Sequence, residues 1–350
     1  MTPQRKVRVA VNGYGVIGKR VADAIALQRD MALVGISDVA ADWRMSIVTR
    51  KGFGLYGASR EHARAMGKAG LRVAGTLDEL LGRVDVVVDC TPKKFGAKNA
   101  EAYRRAGVKF IVEGGEAHAV TGHSFVAEAN YASALGLEAT RIVSCNTTSI
   151  VRTLIALKRA GLLLRARGTL LRRATDPWES HLGGIMNTLV PESHIPSHQG
   201  PDAQSVDPEL DVITMAVKVP ETLGHLHYWA VQLTRPAKNS EVLSALASST
   251  RIAFISWRNG LSGINTVHEL MADMGRPHEN LYEVALWEDL LTAQGREAFY
   301  GYLVDNQAIV VPETIDAIRA LTELERDPQA SIEKTNSSLG ISNHFLMQAA

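Results

Sequence analysis

A glycine-rich turn near the start of the chain lies between a short apolar run and a helical pattern. The run VRVAV at 7–11 has the composition of a buried strand, and VIGKRVADAIALQ at 16–28 has the periodicity of an amphipathic helix. Gly13, Gly15 and Gly18 form a G-x-G-x-x-G pattern at this junction. Glycines at this spacing permit a tight turn, close approach of a pyrophosphate to the backbone, and close packing of the helix on the strand. The turn therefore predicts a strand–turn–helix unit that binds a dinucleotide at the positive end of the helix dipole.

An acidic residue stands at the position from which such units contact ribose. The second apolar run, ALVGI at 32–36, ends close to Asp38, which follows Gly18 by 20 residues. A carboxylate there can accept hydrogen bonds from both ribose hydroxyls, and it repels a 2′-phosphate. Arg44 is close enough in sequence to accommodate that phosphate. We therefore expect NAD as the cofactor, with NADP left open; the plain alternative is a structural turn followed by a solvated Asp.

Strands that alternate with helices continue to about residue 145. Short β-rich runs occur at 7–11, 32–36, 84–90, 108–112 and 141–144, with helical patterns between several of them. Alternation of this kind is typical of a parallel, doubly wound sheet. We therefore predict an α/β fold of the Rossmann type for this part of the chain.

The pattern changes after a helical stretch near 147–160. The later β-rich runs, at 168–174, 211–220, 225–234 and 252–257, are joined by longer irregular connections. They favour an α+β catalytic domain with a mostly antiparallel sheet, and 350 residues are too many for one core. The expected organisation is a nucleotide-binding domain at 1–144 completed by a C-terminal helical segment at 308–341, a catalytic domain at 145–307, and a loose tail at 342–350.

The charge balance and the cysteine content exclude several classes of protein. Lys and Arg number 38 while Asp and Glu number 37, which offers no basic surface for nucleic acid or an anionic membrane. Two cysteines cannot form a disulfide framework, so a reducing compartment is expected. The N-terminus lacks the apolar stretch of a secretory signal, and no window reaches the roughly 18 apolar residues of a membrane span. We expect a cytoplasmic protein with small-molecule partners, no nucleic-acid partner and no membrane association.

The segment SCNTT places a cysteine where a predicted strand gives way to a helix. Backbone N–H groups and the helix dipole stabilise a thiolate there, so we expect the pKa of Cys145 to fall from about 8.5 toward neutrality. The same N–H groups and the Asn146 amide could hold an oxyanion, while Thr147 and Thr148 could cap the helix. The plain alternative is a buried structural cysteine. Placement after the nucleotide-binding unit favours a nucleophile at Cys145, and Cys90 is interpreted as a small buried residue.

A second candidate for catalysis is the pair of histidines in His225-Leu226-His227, which lies in a strand-like run. Both imidazoles leave the same face of such a strand. Either ring can accept the thiol proton and later the proton of the hydroxyl formed on the substrate. The alternative is that the two histidines have a structural role. A metal site is disfavoured because no third potential ligand occurs at a spacing typical of metal-binding motifs.

Arg172 and Arg173 are adjacent in a strand-like run, so their side chains should leave opposite faces of the sheet. A guanidinium can bind a phosphoryl group through two parallel N–H bonds. The alternative is a pair of solvated charges. If the pair is functional, we expect the two arginines to have different roles.

Seven segments spread along the chain carry a family pattern. They are NGYGVIGKRVADAI, VDCTP, GGEAH, SCNTT, RRATDP, PSHQGPD and VVPETIDAIRAL. Together they resemble archaeal-type (type II) glyceraldehyde-3-phosphate dehydrogenase, in register from about residue 5 to about residue 341. SCNTT is shared with the wider dehydrogenase group, whereas the Arg-Arg and Ser-His segments point to the archaeal-type branch.

The resemblance implies roles that residue types alone do not assign. It implies that His225 is the base, that Arg172 binds the substrate phosphate, and that Arg173 lies on the nicotinamide side. It also implies a substrate-phosphate loop at Ser197 and His198, and a homotetramer. The other candidate site residues are Ser144, Asn146, Thr147 and Gln199 for substrate or phosphate, and Gly13, Gly15, Val16, Ile17, Gly18, Asp38, Gly115 and Asn306 for the cofactor.

Four departures from the family pattern leave the catalytic groups in place. Gln199 replaces a second His, Glu113 replaces a Gln, and Ser149 replaces a Gly. Asp38 is more acidic than the second-strand end of NADP-using members. These changes leave open a related aldehyde or a changed cofactor preference.

The predicted activity is oxidation of D-glyceraldehyde 3-phosphate to 1,3-bisphosphoglycerate, through a thioester on Cys145 and hydride transfer to NAD(P). Inorganic phosphate is the second substrate. The alternatives are dehydrogenation of another phosphorylated aldehyde such as erythrose 4-phosphate, hydrolytic release of the acid, and a non-catalytic nucleotide-binding homologue. The reactivity of Cys145 toward iodoacetamide, relative to Cys90, distinguishes the last of these.

Overall fold

The computed structural model describes residues 5–113, 115–177 and 185–345. The chain divides into two compact units. The first unit comprises Met1–Ser144 and Val311–Leu339, and the second comprises Cys145–Val310 and Gly340–Ala350. None of the helices in the described ranges combines the length and the apolar character needed to cross a membrane.

A fully parallel sheet of eight strands forms the centre of the first unit. Its strands are β1 (Val7–Asn12), β2 (Met31–Asp38), β3 (Leu55–Gly57), β4 (Gly75–Thr76), β5 (Val86–Asp89), β6 (Lys109–Val112), β7 (Ser124–Phe125) and β8 (Ala139–Ile142). Their order across the sheet is β4-β3-β2-β1-β5-β6-β8-β7. The direction of winding reverses between β1 and β5, and in such sheets ligands bind outside the carboxyl ends of the strands at that reversal.

Helices connect the strands of the first unit. They are α1 (Val16–Ala26), α2 (Trp43–Arg50), α3 (Arg60–Lys68), α4 (Leu77–Leu81), α5 (Phe95–Arg105) and α6 (Ala127–Asn130). On the central strands, Val9, Val11, Val86 and Val88 are fully buried, as expected when both faces of a parallel sheet are covered. The predicted α/β fold of the Rossmann type is confirmed.

The second unit is built on a mixed sheet. Its strands are β9 (Leu163–Arg173), β10 (Val190–Pro191), β11 (Val212–Val219), β12 (Gly224–Leu233), β13 (Ile252–Ile255), β14 (Val284–Trp287), β15 (Thr292–Gln294) and β16 (Glu297–Asp305). Its helices, in the described ranges, are α7 (Cys145–Arg159), α8 (Gln199–Gln204), α9 (Asn239–Ala247) and α10 (Ile264–Asp273).

Most strand pairs of the second sheet are antiparallel. The order is β10-β11-β9-β12-β16-β14-β13, and β15 pairs with β16 outside this path. Among the described strands of this second sheet, the parallel pairs are β9 with β11 and β13 with β14. The predicted, mostly antiparallel sheet is confirmed, with these two parallel pairs as an addition. β12 lies between β9 and β16, which brings side chains from three distant segments together.

The chain returns to the first unit as α11 (Val311–Thr322) and α12 (Pro328–Leu339). The helical segment predicted at 308–341 is divided into two helices, since α11 ends at Thr322, where Glu323 adopts a positive φ of 53°. The buried Arg319 guanidinium anchors α11, since its Nε donates to Oδ2 of Asp30 at 2.8 Å.

The residues 342–345 differ from the loose tail that the sequence predicts for 342–350. The side-chain amide of Asn343 donates to the Ile252 carbonyl at 2.9 Å, and the Phe254 N–H donates to the Asn343 carbonyl at 2.9 Å. The prediction is wrong for this stretch because polar groups of the segment form hydrogen bonds with the backbone of β13, the last strand in the order of the sheet. The residues 346–350 lie outside the described ranges.

Candidate active site

Cys145 is the first residue of α7, and two residues separate it from the end of β8. Its side chain is half-buried. The first N–H groups of a helix have no partner within the helix, and the Asn146 N–H forms a hydrogen bond that favours the Cys145 thiolate. The sulfur therefore lies where backbone donors converge.

The Nε2 atom of His225 lies 3.3 Å from the Sγ atom of Cys145. His225 pairs in register with Arg172 across β12 and β9, and the backbone N–H of Arg173 donates to Nδ1 of His225 at 3.1 Å. A backbone amide can only donate, so Nδ1 carries no proton and the neutral ring holds its proton on Nε2. His225 therefore presents an N–H donor to the sulfur.

The protonation of this pair differs from the sequence expectation. Burial raises the pKa of Cys145, and Arg173, the Asn146 N–H and Arg172 oppose this rise without cancelling it. The predicted fall of the Cys145 pKa toward neutrality is wrong for the resting protein. Removal from water destabilises the thiolate more than the start of the helix stabilises it. Burial, followed by His227 and the two arginines, lowers the pKa of His225 well below 6.5. The resting pair is a thiol beside a neutral imidazole.

The second histidine contacts Asn146 rather than the sulfur. Nε2 of His227 lies 2.8 Å from Oδ1 of Asn146, whose Nδ2 donates toward Sγ of Cys145 at 3.7 Å. Burial, followed by Arg172, lowers the pKa of His227 to about 3, so this ring is also neutral near pH 7. Within the described ranges, no set of three His, Cys, Asp or Glu side chains is arranged to hold a metal ion.

Three predicted phosphate-site residues, Arg172, His198 and Gln199, converge on one carboxylate; we call them the anion group. Nη1 of Arg172 pairs with Oε1 of Glu192, Nδ1 of His198 lies 3.1 Å from Oε2, and Nε2 of Gln199 donates to Oε1 at 3.4 Å. Burial opposes ionisation of Glu192, but His198 and Arg172 outweigh it and hold the pKa of Glu192 below its ordinary value. Nε of Arg172 and Oε1 of Gln199 are buried without a hydrogen-bond partner among the described residues. The group is suited to binding an anion.

Two other predicted hydroxyls of the phosphate site are directed elsewhere. Oγ of Ser197 donates to Oγ1 of Thr214 at 2.8 Å, and Oγ1 of Thr147 donates to Oδ2 of Asp202 at 2.7 Å. Both donors are fully buried. These two hydrogen bonds link neighbouring elements of the second unit. Neither hydroxyl is therefore directed to the anion group. Ser144 is half-buried and is the last residue of the first segment of the first unit.

The residues predicted for the nicotinamide side meet at a carboxylate that sequence reasoning missed. Nη2 of Arg173 lies 3.2 Å from Oδ1 of Asp176, and Nδ2 of Asn306 donates to the same oxygen at 3.1 Å. Arg172 has a different partner, Glu192, as expected for neighbours on opposite faces of a strand. Asp176 and Glu192 lie in loops, where no periodicity marks them.

The glycine-rich turn has the shape that a pyrophosphate requires. Gly13 has a φ of +95°, and a Cβ there would lie 2.9 Å from the Cys90 backbone. A Cβ on Gly18 would lie 1.8 Å from the Gly13 carbonyl oxygen, whereas a Cβ on Gly15 would meet nothing within 4 Å. No described side chain caps α1, which begins at Val16, so its first N–H groups suit a phosphate. These residues fit a dinucleotide.

The carboxylate of Asp38 is fixed at the end of β2. Oδ2 accepts the Tyr14 N–H at 2.6 Å and Oδ1 accepts the Ala40 N–H at 2.8 Å. Each oxygen has further lone-pair capacity for a ribose hydroxyl. Arg44, the predicted contact for a 2′-phosphate, instead pairs with Asp42, with Nη2 and Oδ2 2.6 Å apart.

Two further positions of the first unit, Gly115 and Cys90, were singled out from the sequence. Gly115 has a φ of +156°, and a Cβ there would lie 3.6 Å from the Lys93 Cβ. Burial, followed by Glu113 and Asp89, raises the pKa of Cys90 well above 9.0. Cys90 is therefore a weakly acidic thiol packed against the turn.

Comparison with known proteins gives consistent results for both units. Residues 144–289 match the family described as glyceraldehyde 3-phosphate dehydrogenase, C-terminal domain, and residues 7–115 match the family described as dihydrodipicolinate reductase, N-terminus. The chain is 44% identical over 337 residues to glyceraldehyde-3-phosphate dehydrogenase of Methanococcoides burtonii, covering 96% of this chain and 99% of the relative. The corresponding protein of Thermococcus kodakarensis is 43% identical over 336 residues, with coverage of 96% and 99%. That of Metallosphaera sedula is 42% identical over 342 residues, with coverage of 97% and 100%.

Proposed function

This chain belongs to the glyceraldehyde-3-phosphate dehydrogenase family, and on that premise we propose that it is a phosphorylating dehydrogenase. Its substrates are D-glyceraldehyde 3-phosphate, inorganic phosphate and NAD(P), and its product is 1,3-bisphosphoglycerate. The observation that carries the proposal is the 3.3 Å contact between Sγ of Cys145 and Nε2 of His225. A thiol at a helix start beside an imidazole is suited to attack on an aldehyde carbon.

Cys145 is the nucleophile of the proposed reaction. After its proton leaves to solvent, the sulfur bonds to the aldehyde carbon and the carbonyl electron pair moves onto oxygen. Departure of hydride from that carbon restores the C=O bond and leaves a thioester on Cys145. The acceptor for this hydride would be supplied by an oxidised nicotinamide bound at the glycine-rich turn.

His225 and Asn146 stabilise negative charge in this scheme. Nε2–H of His225 and the Asn146 NH2 group donate to the thiolate and then to the alkoxide oxygen. This role differs from the base that the family resemblance implies. Nδ1 of His225 already accepts the Arg173 N–H, so a second ring proton would have to displace that bond. The depressed pKa of His225, caused chiefly by burial, also supports the donor role.

The anion group binds phosphoryl oxygens in the proposed reaction. The guanidinium of Arg172 and the side-chain donors of His198 and Gln199 surround one carboxylate, Glu192, and can exchange it for a phosphoryl group. An oxygen of inorganic phosphate then bonds to the thioester carbon, the C–S bond breaks, and the sulfur leaves as a thiolate. Arg173 and Asn306, joined at Asp176, are proposed to face the nicotinamide side.

The proposed cofactor preference is NAD over NADP. The fixed Asp38 carboxylate favours ribose hydroxyls and repels a 2′-phosphate. Arg44 supports the same preference, because its guanidinium is already neutralised by Asp42.

We further propose a homotetramer in the cytoplasm. The tetramer follows from the family resemblance, and the compartment is supported by the two free cysteines, Cys90 and Cys145. Light scattering of the purified protein tests the tetramer, and a stable monomer would overturn it.

A steady-state assay of the purified protein tests the proposed function. Glyceraldehyde 3-phosphate and erythrose 4-phosphate are compared, with and without inorganic phosphate, and with NAD and NADP in parallel. We expect turnover to require phosphate, and kcat/KM to be higher for glyceraldehyde 3-phosphate and for NAD. Phosphate-independent turnover would instead indicate hydrolytic release of the acid, and a higher kcat/KM for erythrose 4-phosphate would change the assigned substrate. Absence of turnover with either aldehyde would leave a non-catalytic nucleotide-binding protein.

A further inference from the structure

A chain of buried side chains extends from Asn146 away from the sulfur. Oδ1 of Asn146 lies 2.8 Å from Nε2 of His227, and Nδ1 of His227 lies 3.0 Å from the Tyr302 hydroxyl. We propose that His227 and Tyr302 are positioning residues that orient the Asn146 amide, so that its NH2 group rather than its oxygen faces the reacting atoms. This inference rests on the proposed function, since it takes Cys145 as the nucleophile.

The orientation of Asn146 matters because its amide has two ends of similar shape and opposite character. The NH2 end donates hydrogen bonds, whereas the oxygen only accepts them. Turned toward Cys145, the oxygen would repel a thiolate and the alkoxide formed from it. Asn146 is 4% exposed, so water has little access to compensate for the wrong orientation.

The contacts allow two arrangements of hydrogens along the chain. The neutral His227 ring has one N–H. With the proton on Nε2, it donates to Oδ1 of Asn146, and the amide NH2 then faces Sγ of Cys145. With the proton on Nδ1, it donates to the Tyr302 oxygen, and the amide turns its oxygen to the sulfur. The position of one proton therefore sets the polarity at the nucleophile.

The neighbours of the Tyr302 hydroxyl favour the first arrangement. The Trp229 indole N–H can only donate, and it donates to the Tyr302 oxygen at 3.0 Å. Among the acceptors near the hydroxyl proton are Nδ1 of His227 at 3.0 Å and Oγ of Ser149 at 3.3 Å, and the Thr153 side chain also interacts with the hydroxyl. The imidazole nitrogen is nearer than the Ser149 oxygen. Each group then donates toward the sulfur, from Trp229 through Tyr302 and His227 to Asn146.

The register of the strands places these hydrogen-bonded side chains next to one another. His227 on β12 lies directly opposite Tyr302 on β16, and Trp229 is two residues further along β12 on the same face. His227 and Tyr302 are 0% exposed and Trp229 is 2% exposed. The donors are therefore held by backbone pairing and packing.

Tyr302→Phe tests the proposal, with Tyr300→Phe as the matched control. Tyr300 lies two positions earlier on the same strand and face and is equally buried, and its hydroxyl interacts with the Thr153 side chain, not with His227, Trp229 or Asn146. For Tyr302→Phe we expect kcat to fall about 10- to 100-fold, with both KM values within about twofold, because a misaligned donor weakens transition-state binding. We also expect alkylation of Cys145 by iodoacetamide to require higher pH. Tyr300→Phe should change neither quantity.

A second pair of variants uses rescue. The side-chain NH2 of His227→Gln can replace the Nε2 donor, whereas His227→Leu cannot, so we expect the Gln variant to retain at least about tenfold more kcat. The Gln and Leu variants are compared under conditions in which both have the same thermal stability. If Tyr302→Phe fails to fold, this comparison alone tests whether His227 orients the Asn146 amide. Equal kcat in Tyr302→Phe and Tyr300→Phe, or in the Gln and Leu variants, would overturn the proposal. If the proposed function is wrong, the unaltered protein will show no Cys145-dependent turnover. The pH dependence of Cys145 alkylation by iodoacetamide would still report the orientation of the Asn146 amide.

Discussion

The backbone N–H of Arg173 and Nδ1 of His225 lie 3.1 Å apart, and this bond determines which ring nitrogen holds a proton. Because the amide must donate, the proton lies on Nε2, which faces Sγ of Cys145 at 3.3 Å. The resting site therefore consists of a donor beside a thiol, and the chemistry begins with loss of the thiol proton.

The first prediction concerns the pH dependence of Cys145 reactivity. Burial raises the pKa of Cys145 above its ordinary value, and a raised thiol pKa means that thiolate forms only at higher pH. Alkylation by iodoacetamide, followed by mass spectrometry of the modified peptide, should therefore rise in one step at alkaline pH. Cys90 should react more slowly, since burial and nearby carboxylates raise its pKa further. A rate plateau between about pH 5 and pH 8 would indicate a thiolate–imidazolium pair and contradict the donor role of His225.

The second prediction concerns acid stability. The pKa of His227 is about 3 in the folded protein and about 6.5 when unfolded, so between these values only the unfolded chain binds the proton. Stability is therefore lost as pH falls below about 6.5, by up to roughly 1.4 kcal/mol per pH unit for one histidine. Urea midpoints at pH 7, 6 and 5 should fall less steeply in His227→Gln than in the unaltered protein. Identical slopes would show that His227 is not the group that titrates.

The third prediction separates two glycines of the nucleotide turn. A Cβ at Gly15 meets nothing within 4 Å, so Gly15→Ala should keep the melting temperature within about 2 °C and weaken NAD binding about tenfold or more. A Cβ at Gly18 would lie 1.8 Å from the Gly13 oxygen, so Gly18→Ala should lower the melting temperature by about 3–10 °C. Calorimetric titration with NAD and thermal melts measure both. Unchanged NAD affinity in Gly15→Ala would place the pyrophosphate elsewhere.

The fourth prediction concerns the phosphate of the substrate. Arg172→Leu should lower kcat/KM for glyceraldehyde 3-phosphate about 30- to 150-fold, the effect of about 2–3 kcal/mol for a charged hydrogen bond. Unphosphorylated glyceraldehyde should lose less than about tenfold, because it makes no such bond. Arg165→Leu is the control, since Arg165 is exposed on the same strand, β9. Equal losses for both aldehydes would show that Arg172 acts on the reacting centre instead.

Features encoded in short stretches of sequence could be predicted. The nucleotide turn, the cysteine at the start of α7 and the paired histidines each depend on residues within about one helical turn or one strand of one another. The mostly apolar, buried strands β1 and β5 could be predicted for the same reason. β16 was not, although it lies inside the second sheet, because Gly301 interrupts its apolar run and acidic residues flank it.

The partners of the catalytic side chains depend on tertiary contacts and could not be predicted. Tyr302 lies 75 residues from His227, and Glu192 lies 20 residues from Arg172 across an irregular loop. Neither distance corresponds to a helical or strand repeat. The pKa of Cys145 illustrates the same difficulty, because the favourable helix start can be read from the sequence whereas the cost of burial cannot.

The most direct test of the central claim is a single-turnover experiment without phosphate. The protein is mixed with NAD and glyceraldehyde 3-phosphate, reduced nicotinamide is followed in the first turnover, and the quenched protein is analysed by mass spectrometry. The account predicts one equivalent of reduced nicotinamide per chain, an acyl group on Cys145, and neither of these in Cys145→Ala. An undiminished burst in Cys145→Ala, or an acyl group on another residue, would contradict it.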